Sequence, residues 1–558
     1  MRALWIGTLG IFFLALLVRL PLFGSIPAGL NRDEAALGYN AYSIFKTGKD
    51  EYEKAFPLSI TSFGDQKLPG YVYTLIPFIA LFGLETWVIR IPSFIAGIAI
   101  IFLLGMIAKH MSYLFFKQKT HQHIFVWCSM FIVAISPWAN HFSRVAYEAH
   151  LALAFFLGGL LIYLRARTSR GFKNTVWWTA LFWSATLLTY HSYHILIPLM
   201  VLGLFVLDTA TVFATRKKIL LACSLIVSLV LTVMMIGGIW SGNTKKSQGI
   251  SPFHTDSVWR SVFTYRSATR DLGVLQKVLF NPPAEMATRF LTNYATTLSG
   301  GFFFVRGGEN PDHNPGGIPN LHLFALPFIL IGVASLWEKR TVSEHKILFM
   351  WIFGALAIPA FTIHPEHTVR LSPLFPTLDL LTGLGVTLCF TWMRTKFQQY
   401  AYGIIFLFIV IWSMGRYMTQ YLVLAQTSSV SHEKYHLLAK AIEKYRTSIN
   451  EVVTQSPSSS PYIWYLVETQ YNPRLLWSTI DRYPEDAKYF RHVHKVGNVT
   501  FESIQWNSLF DRVKQHPIVL IFEPRETPGE IRESGKLTFL EALRDQFGNT
   551  QYEVWRVE

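Results

Sequence analysis

The amino-acid sequence predicts a polytopic α-helical membrane protein with a small α/β domain at its carboxyl end. The chain has 558 residues, of which 51% are hydrophobic and only 15% are charged, and its mean hydropathy is +0.30. A soluble protein of this length carries about 25% charged residues. Long apolar runs fill residues 1–423, whereas the remainder alternates short strand-like and helix-like segments.

Eleven apolar runs are candidates for transmembrane helices, since roughly 20 helical residues cross a bilayer. They lie at 3–23, 87–108, 124–139, 146–164, 175–190, 192–208, 219–239, 319–337, 346–362, 371–392 and 400–423. No small-residue cleavage site precedes Asn31, so we expect the first run to be a helix and not a cleaved signal peptide.

A twelfth candidate, 69–84, is short and contains Pro77. If it lies flat on the membrane, the Lys and Arg clusters between the other runs all fall on the same side as Arg2. If it crosses, they all fall on the opposite side. The positive-inside rule therefore favours a flat segment and eleven helices, while a short tilted crossing, giving twelve, stays open.

The eleven-helix topology predicts which segments share the outer face of the cytoplasmic (inner) membrane. They are 24–86, 140–145, 240–318, 363–370 and all residues after 424. We therefore expect a transmembrane domain at 1–423, with outer loops 24–86 and 240–318, and an extracytoplasmic α/β domain at 424–558.

The α/β domain is predicted from alternating periodicities. Helices are expected at 431–446, 462–471 and 508–515, and strands at 449–454, 498–504, 517–522 and 552–557. No catalytic motif is found in this part of the chain.

Charge and cysteine content exclude other classes of protein. The net charge of +15 comes from short Lys and Arg clusters between apolar runs, as membrane orientation requires, so nucleic acid is not expected as a partner. Cys128, Cys223 and Cys389 each lie in an apolar run without CxxC or His/Cys ligand spacing. Neither a disulfide framework nor a thiolate metal site is predicted.

Two adjacent acids, Asp33 and Glu34, follow the first apolar run and should lie in the headgroup layer. Asn31 and Glu34 have the spacing of a helix capping box, so Glu34 fits a structural role as well as a chemical one. An acid at the position of Asp33 is favourable in a first helical turn but is not required. Asp33 is therefore the stronger candidate for chemistry.

Further ionisable groups lie at the outer ends of the runs, where they are candidates for function. Arg144 and Glu148 are four residues apart, which fits an internal ion pair as well as substrate contacts. Tyr190, His191 and His194 fall in a short polar turn, where capping is the alternative to substrate binding.

Two cations are candidates for binding phosphate. Arg370 stands at the entrance to an apolar run, where a snorkelling interfacial residue is the alternative. Lys67 lies two residues before Pro69, which can start a helix, and an ammonium group at a helix N-terminus favours anions. No DxD or HExxH spacing that would indicate a metal site occurs where it would be needed.

Several of these pieces together resemble the family 39/83 glycosyltransferases, which include dolichyl-phosphate-mannose protein mannosyltransferases and the aminoarabinose transferase of lipid A. They are Arg32-Asp33-Glu34-Ala35, Gly64-Asp65-Gln66-Lys67-Leu68-Pro69, the Ser136-Pro137-Trp138 to Ser143-Arg144 loop, and the late His364 to Arg370 segment. The resemblance covers roughly residues 1 to 400. It implies a GT-C membrane fold, a polyprenyl-phosphate-linked sugar donor, and an active site open to the outer face.

The resemblance also implies roles for the candidate residues. Asp33 would be the general base for inverting transfer to an acceptor hydroxyl, and Glu34 would orient the acceptor or support Asp33. The leaving polyprenyl phosphate would be held by Lys67, Arg144 and Arg370. The substrate would be contacted by Glu148, Tyr190, His191 and His194, of which Glu148 stands one position from a common family aspartate and the Tyr190–His194 turn replaces a common lysine.

The partners implied are a polyprenyl-phosphate sugar, membrane lipid, and an acceptor protein, lipid or glycan. No cofactor is assigned, and a requirement for a divalent metal is left open. The rival interpretation is a transporter or flippase of an anionic lipid-linked substrate, since cations in a helical cavity suit that function too. We find no inverted repeat or matched pair of broken helices in the sequence, and the polar residues gather at one face, so transfer is favoured.

Overall fold

The computed structural model describes residues 2–168, 172–211, 251–269, 273–338, 340, 342–427, 432–454, 460–486, 490–524 and 535–557. Two compact units are formed. Unit 1 comprises Met1–Phe23 and Pro92–Leu424, and unit 2 comprises Gly24–Ile91 and Ala425–Glu558.

Helices dominate the chain. In chain order they are α1 (Arg2–Arg19), α2 (Arg32–Thr47), α3 (Gly70–Phe82), α4 (Thr86–Phe115), α5 (Lys119–Ile135), α6 (Pro137–Phe142), α7 (Glu148–Thr168), α8 (Phe172–Leu187), α9 (Tyr193–Thr211), α10 (Thr255–Ala268), α11 (Val274–Leu279), α12 (Pro282–Thr296), α13 (Gly300–Phe304), α14 (Ala325–Glu338), α15 (Ser343–Ala360), α16 (Phe375–Trp392), α17 (Lys396–Thr427), α18 (Glu433–Arg446), α19 (Tyr462–Glu468), α20 (Pro473–Thr479) and α21 (Trp506–Val513).

Each predicted apolar run within the described residues coincides with a helix, and the run 219–239 lies outside them. Among the described helices, four are long and apolar enough to cross a membrane. They are α4 (over Thr86–Phe115), α7 (over Glu148–Ala166), α16 and α17. These helices mark the chain as a membrane protein, and the count of eleven spans stays a prediction. The segment predicted at 69–84 is the helix α3, which contains Pro77.

Two glycines in α16 allow close packing of helices in unit 1. A Cβ atom on Gly383 would lie 2.7 Å from the backbone nitrogen of Ser129 in α5, and one on Gly385 would lie 2.1 Å from the backbone oxygen of Phe328 in α14. Since lipid supplies no hydrophobic drive between helices, such small residues are what permit tight contact in a membrane. In contrast, α17 is mostly exposed, and its outward apolar side chains, such as Phe408 and Trp412, suit contact with lipid.

Unit 2 contains two sheets. A hairpin is formed by β1 (Ile60–Ser62) and β2 (Asp65–Lys67). The larger sheet has seven strands in the order β4-β5-β6-β3-β7-β9-β8. These strands are β3 (Glu451–Thr454), β4 (Ile480–Arg482), β5 (Val493–Val496), β6 (Val499–Phe501), β7 (Ile518–Phe522), β8 (Leu537–Arg544) and β9 (Thr550–Val557).

The centre of the larger sheet is parallel, because β3 pairs in parallel with both β6 and β7. Every residue of β7 is buried, which fits its continuous apolar sequence and its position inside the sheet. The expected α/β arrangement after residue 424 is thus present, with α20, β4, β5 and β8 in addition to the predicted elements.

The compact units differ from the predicted domains in one respect. Residues 24–86 were expected as an outer loop of the transmembrane domain, whereas Gly24–Ile91 belongs to the same unit as the carboxyl-terminal sheet. The reason is a set of buried contacts: the indole of Trp464 donates to the carbonyl of Leu30 at 2.6 Å, and the hydroxyl of Tyr39 donates to the carbonyl of Tyr471 at 3.0 Å.

Candidate active site

The first turn of α2 holds the adjacent acids in a defined geometry. Asn31 is the N-cap, and its side-chain oxygen accepts from the backbone nitrogen of Glu34 at 2.9 Å. In return, Glu34 Oε2 accepts from the backbone nitrogen of Asn31 at 3.0 Å. This capping box, expected from the spacing of the two residues, fixes the start of the helix and therefore the position of Asp33.

Glu34 is also half of a buried ion pair. Its side chain is 1% exposed, and Arg90 donates to Oε1 at 2.9 Å and to Oε2 at 3.0 Å. The same guanidinium donates to the carbonyls of Gly24, Pro27 and Gly29. Two buried charges thus satisfy each other, and Arg90 ties the segment before α2 to the start of α4.

Asp33 lies in the opposite environment. Its side chain is 55% exposed, and its Oδ1 accepts from Lys67 Nζ at 2.7 Å, while Lys67 is only 7% exposed. A carboxylate can accept a proton from a hydroxyl that approaches its exposed side. The structure therefore presents an exposed carboxylate whose orientation is set by a buried cation.

Lys67 reaches Asp33 because of the β1–β2 hairpin, which ends at this lysine. Gly64, in the turn between the two strands of this hairpin, has a φ of 80°, a conformation that glycine adopts without strain. Pro69, two residues after Lys67, caps α3, which begins at Gly70. The predicted relationship between Lys67 and a helix N-terminus is therefore present, and the bond to Asp33 is an addition to it.

A second buried acid, Glu51, holds the hairpin against the rest of unit 2. Its Oε1 accepts from the hydroxyl of Tyr462 at 2.8 Å, and its Oε2 accepts from Ser62 of β1 at 3.1 Å and from Asn40 of α2 at 3.2 Å. Burial raises the pKa of Glu51 to about 7, against the lowering effect of Arg482 and of these donors.

In unit 1, Arg144 is 1% exposed and bonds to the backbone. It donates to the carbonyls of Arg19, Pro21 and Leu22 at 2.7 to 3.0 Å, at the carboxyl end of α1. A guanidinium at this position satisfies carbonyls that the helix leaves unpaired. Arg19 itself is buried and donates to the carbonyl of Ala134 at 2.7 Å. These contacts give Arg144 a structural task, and its role in phosphate binding stays a prediction.

Arg370 and Tyr190, predicted separately, are brought together in unit 1. Burial lowers the pKa of Arg370, and the nearby Tyr190 raises it, which records their electrostatic interaction. Among the described residues, the buried Nη1 of Arg370 has no hydrogen-bond partner. Guanidinium N–H groups form strong, charge-assisted hydrogen bonds with oxyanions.

The remaining predicted residues of unit 1 lie at helix ends. Glu148 begins α7 and is partly buried. The rings of His191 and His194 meet edge to face at 5.4 Å, and His194 Nε2 lies 2.9 Å from the carbonyl of Leu187. The contact of His194 fits capping of α8, which was the alternative to substrate binding.

The described residues contain no group of three or more His, Cys, Asp or Glu side chains placed to hold a metal ion.

Two important residues, Arg90 and Glu51, were not singled out from the sequence. Arg90 could have been found, because a lone arginine inside the apolar run 87–108 is costly and needs a partner. Glu51 carries no such signal, since it lies among the charged residues Lys49 to Lys54 and its burial depends on distant segments.

Comparison with solved structures identifies the class of fold. The chain has the GT-C fold of membrane glycosyltransferases, as predicted. It is similar to ArnT from Cupriavidus metallidurans bound to undecaprenyl phosphate, with a TM-score of 0.52 and 13% identity over 100% of this chain and 97% of that one. It is also similar to the Archaeoglobus fulgidus oligosaccharyltransferase tethered to an acceptor peptide, with a TM-score of 0.53 and 10% identity over 99% of this chain and 74% of that one.

No protein-family model matches the sequence, and no curated protein matches it. At 10 to 13% identity the structural likeness concerns the fold. The chemistry has to be argued from the residues of this chain.

Proposed function

We propose that this chain is a membrane glycosyltransferase that moves a sugar from a polyprenyl-phosphate donor to the hydroxyl of an acceptor on the outer face of the cytoplasmic membrane. The observation that carries the proposal is the bond between Asp33 and Lys67, which offers an exposed carboxylate at the start of α2 with a buried cation beside it. The GT-C fold supports it, because one structure similar to this chain holds undecaprenyl phosphate and another an acceptor peptide.

In the proposed reaction, Asp33 takes the proton of the acceptor hydroxyl as the oxygen attacks the anomeric carbon. A new carbon–oxygen bond forms, and the bond from the anomeric carbon to the phosphate oxygen breaks. Polyprenyl phosphate leaves with the electron pair, and attack from the opposite face inverts the anomeric centre. No acid is needed at the leaving group if its negative charge is stabilised electrostatically.

We assign two roles to Lys67 within unit 2. It orients Asp33 through their 2.7 Å bond, and its ammonium, which can donate to more than one acceptor, contributes positive charge for the phosphate. Within unit 1, Arg370 is assigned to anion binding because its buried Nη1 has no hydrogen-bond partner in the described part of the chain. Glu34 supports Asp33 through the capping box and the ion pair with Arg90, which is one of the two roles that the resemblance implies for it.

The test uses the purified full chain in lipid nanodiscs with a panel of synthetic polyprenyl-phosphate sugars. We expect release of polyprenyl phosphate and formation of a glycosylated product when membrane extract supplies the acceptor. Loss of both in the Asp33→Asn variant, with normal protein yield, would support the assignment of the base. If the intact sugar lipid instead crosses proteoliposome membranes without cleavage, the chain is a flippase and the proposal fails.

A further inference from the structure

A pocket lined mostly by polar residues lies in the carboxyl-terminal part of unit 2. Its volume is about 550 Å³. It is lined by Tyr483, Pro484 and Asp486 after β4, by His492 and His494 around the start of β5, by Glu502, Ser503 and Gln505 after β6, and by Ser508 of α21.

The carboxylates in and beside this pocket lie close to imidazole or guanidinium groups. His492 Nε2 lies 3.3 Å from Asp486, and His494 lies 2.8 Å from Asp481 and 3.8 Å from Glu502. Glu502 is also paired with Arg512. The carboxylates therefore already have protein hydrogen-bond partners, which leaves fewer of their lone pairs for a bare cation.

The lining chemistry excludes several classes of ligand. None of the described residues that line the pocket is Lys or Arg, the side chains that bind a phosphate group most strongly. No cluster of metal ligands is present among the described residues, as noted above. An apolar ligand is disfavoured by the many carboxylate, imidazole, amide and hydroxyl groups, which would lose water without gaining partners.

A saccharide satisfies the remaining requirements. The ring of Tyr483, packed at 4.9 Å from the ring of His494, and the adjacent Pro484 offer an apolar patch for the C–H face of a sugar ring. Gln505, Ser503 and the two imidazole–carboxylate pairs offer both donors and acceptors for its hydroxyls. The volume lies within the range, roughly 300 to 1,000 Å³, of pockets that hold small ligands.

The pocket is connected to the candidate base by direct contacts within unit 2. Arg32, which precedes Asp33, lies 5.8 Å from the ring of Phe490, and that ring stacks on His492 at 6.3 Å. Arg32 also lies 5.0 Å from the ring of Phe63, in the turn of the hairpin that carries Lys67.

We propose that this pocket binds a saccharide and that the saccharide is the glycan part of the acceptor. The second half of this inference rests on the proposed function, because only a glycosyltransferase has an acceptor. The first half does not, since a pocket lined in this way would bind free sugars whatever reaction the chain performs.

The test measures binding of a panel of neutral disaccharides to the purified full chain by saturation-transfer NMR, with inorganic phosphate and Ca²⁺ as comparison ligands. We expect saccharide binding that weakens by about tenfold or more in Ser508→Trp, which fills the pocket from α21. The matched control is Asp511→Trp, which places the same bulky group on the same helix at an exposed residue outside the pocket lining. Gln505→Ala should also weaken binding, without adding bulk.

The same variants separate this inference from the proposed function. Asp33→Asn should bind the disaccharides normally, even if it transfers no sugar. In transfer assays Ser508→Trp should raise KM for the acceptor and leave KM for the donor unchanged. A rise in the donor KM alone would overturn the acceptor assignment. Equal binding by both tryptophan variants, or binding of phosphate or Ca²⁺ in place of saccharide, would overturn the saccharide site.

Discussion

Asp33 and Glu34 are adjacent in the first turn of α2, but their carboxylates lie in opposite environments. Asp33 is 55% exposed and bonds to Lys67, whereas Glu34 is 1% exposed and bonds to Arg90 and to the N-cap of its own helix. Their substitution should therefore affect different properties of the protein. Asp33 should determine activity, and Glu34 should determine stability.

The first prediction concerns Asp33. Asparagine keeps the size of the side chain and its ability to accept a bond from Lys67, but it cannot take a proton from a hydroxyl. We expect Asp33→Asn to reduce the transfer rate by about 10² to 10⁴, measured as release of polyprenyl phosphate. The control is Glu53→Gln, since Glu53 is a similarly exposed acid paired with Lys49 in the same unit. Normal activity of Asp33→Asn would mean that another group is the base.

The second prediction concerns Lys67, whose two assigned roles can be separated by a double variant. We expect Lys67→Ala to lower donor turnover by roughly 10- to 150-fold, which corresponds to the loss of one charge-assisted contact of about 1.5 to 3 kcal/mol. If Lys67 acts mainly through Asp33, the double variant with Asp33→Asn should be little worse than Asp33→Asn alone. Lys54→Ala, at the exposed lysine that bonds to Thr61, should have normal kinetics.

The third prediction concerns Arg370. Alanine removes the guanidinium whose buried Nη1 is available for an oxyanion, so KM for the donor should rise by roughly 10- to 150-fold. Arg370→Lys should recover part of the loss, because it restores charge without the planar fork. Arg340→Ala, at an exposed arginine stacked on Trp337, serves as the control. An unchanged donor KM in Arg370→Ala would show that the arginine is an interfacial anchor.

The fourth prediction concerns the pair of Glu34 and Arg90. Removing one partner of a buried ion pair typically costs about 3 to 5 kcal/mol, so Glu34→Ala and Arg90→Ala should each lower the melting temperature strongly in detergent. Glu34→Gln should be milder, because glutamine also completes a capping box. Should Glu34→Gln melt normally yet transfer no sugar, Glu34 would contact the substrate and the roles of the two acids would have to be exchanged.

The fifth prediction is a dependence of stability on pH. Glu51 titrates near 4.5 in the unfolded chain and at about 7 in the folded protein. Below about pH 4.5 both states hold the proton. As the pH rises to about 7, only the unfolded state releases it, so the free energy of unfolding falls, by at most about 3 kcal/mol, and then levels off.

Melting temperatures measured from pH 5 to 8 can check this dependence. The glutamine in Glu51→Gln cannot lose a proton, so the variant should not show this decline. Its melting temperature should therefore rise relative to that of the wild type as the pH rises. A constant difference between the two proteins across the range would show that Glu51 keeps one protonation state.

The parts of the fold that follow from local sequence were predictable. Apolar runs mark the helices because burial in lipid or protein needs apolar residues over the whole length of a span. The spacing of Asn31 and Glu34 predicts the capping box because both partners lie within one turn. In contrast, β4 and β8 are partly exposed strands with no continuous apolar run, so the pattern of apolar residues does not mark them as strands.

The contacts that build the candidate site are not local, which is why the sequence could name Asp33 but not its surroundings. Lys67 lies 34 residues from Asp33 in the chain, and Arg90 lies 56 residues from Glu34. From the sequence, Lys67 was assigned to phosphate binding, and Arg90 was not assigned any role. Whether a charged side chain lies beside a carboxylate or in water depends on how the hairpin and the start of α4 pack. The spacing of apolar residues along the sequence does not predict this packing.

Because unit 2 is assembled from Gly24–Ile91 and Ala425–Glu558, its two halves leave the ribosome at different times. At about 5 to 20 residues per second, the stretch between them takes on the order of tens of seconds to synthesise. During that interval α2 and the hairpin are outside the ribosome, but Tyr462 and Trp464, which bond to Glu51 and Leu30, do not yet exist. The segment Gly24–Ile91 therefore lacks the partners of its buried polar groups until the last part of the chain is synthesised.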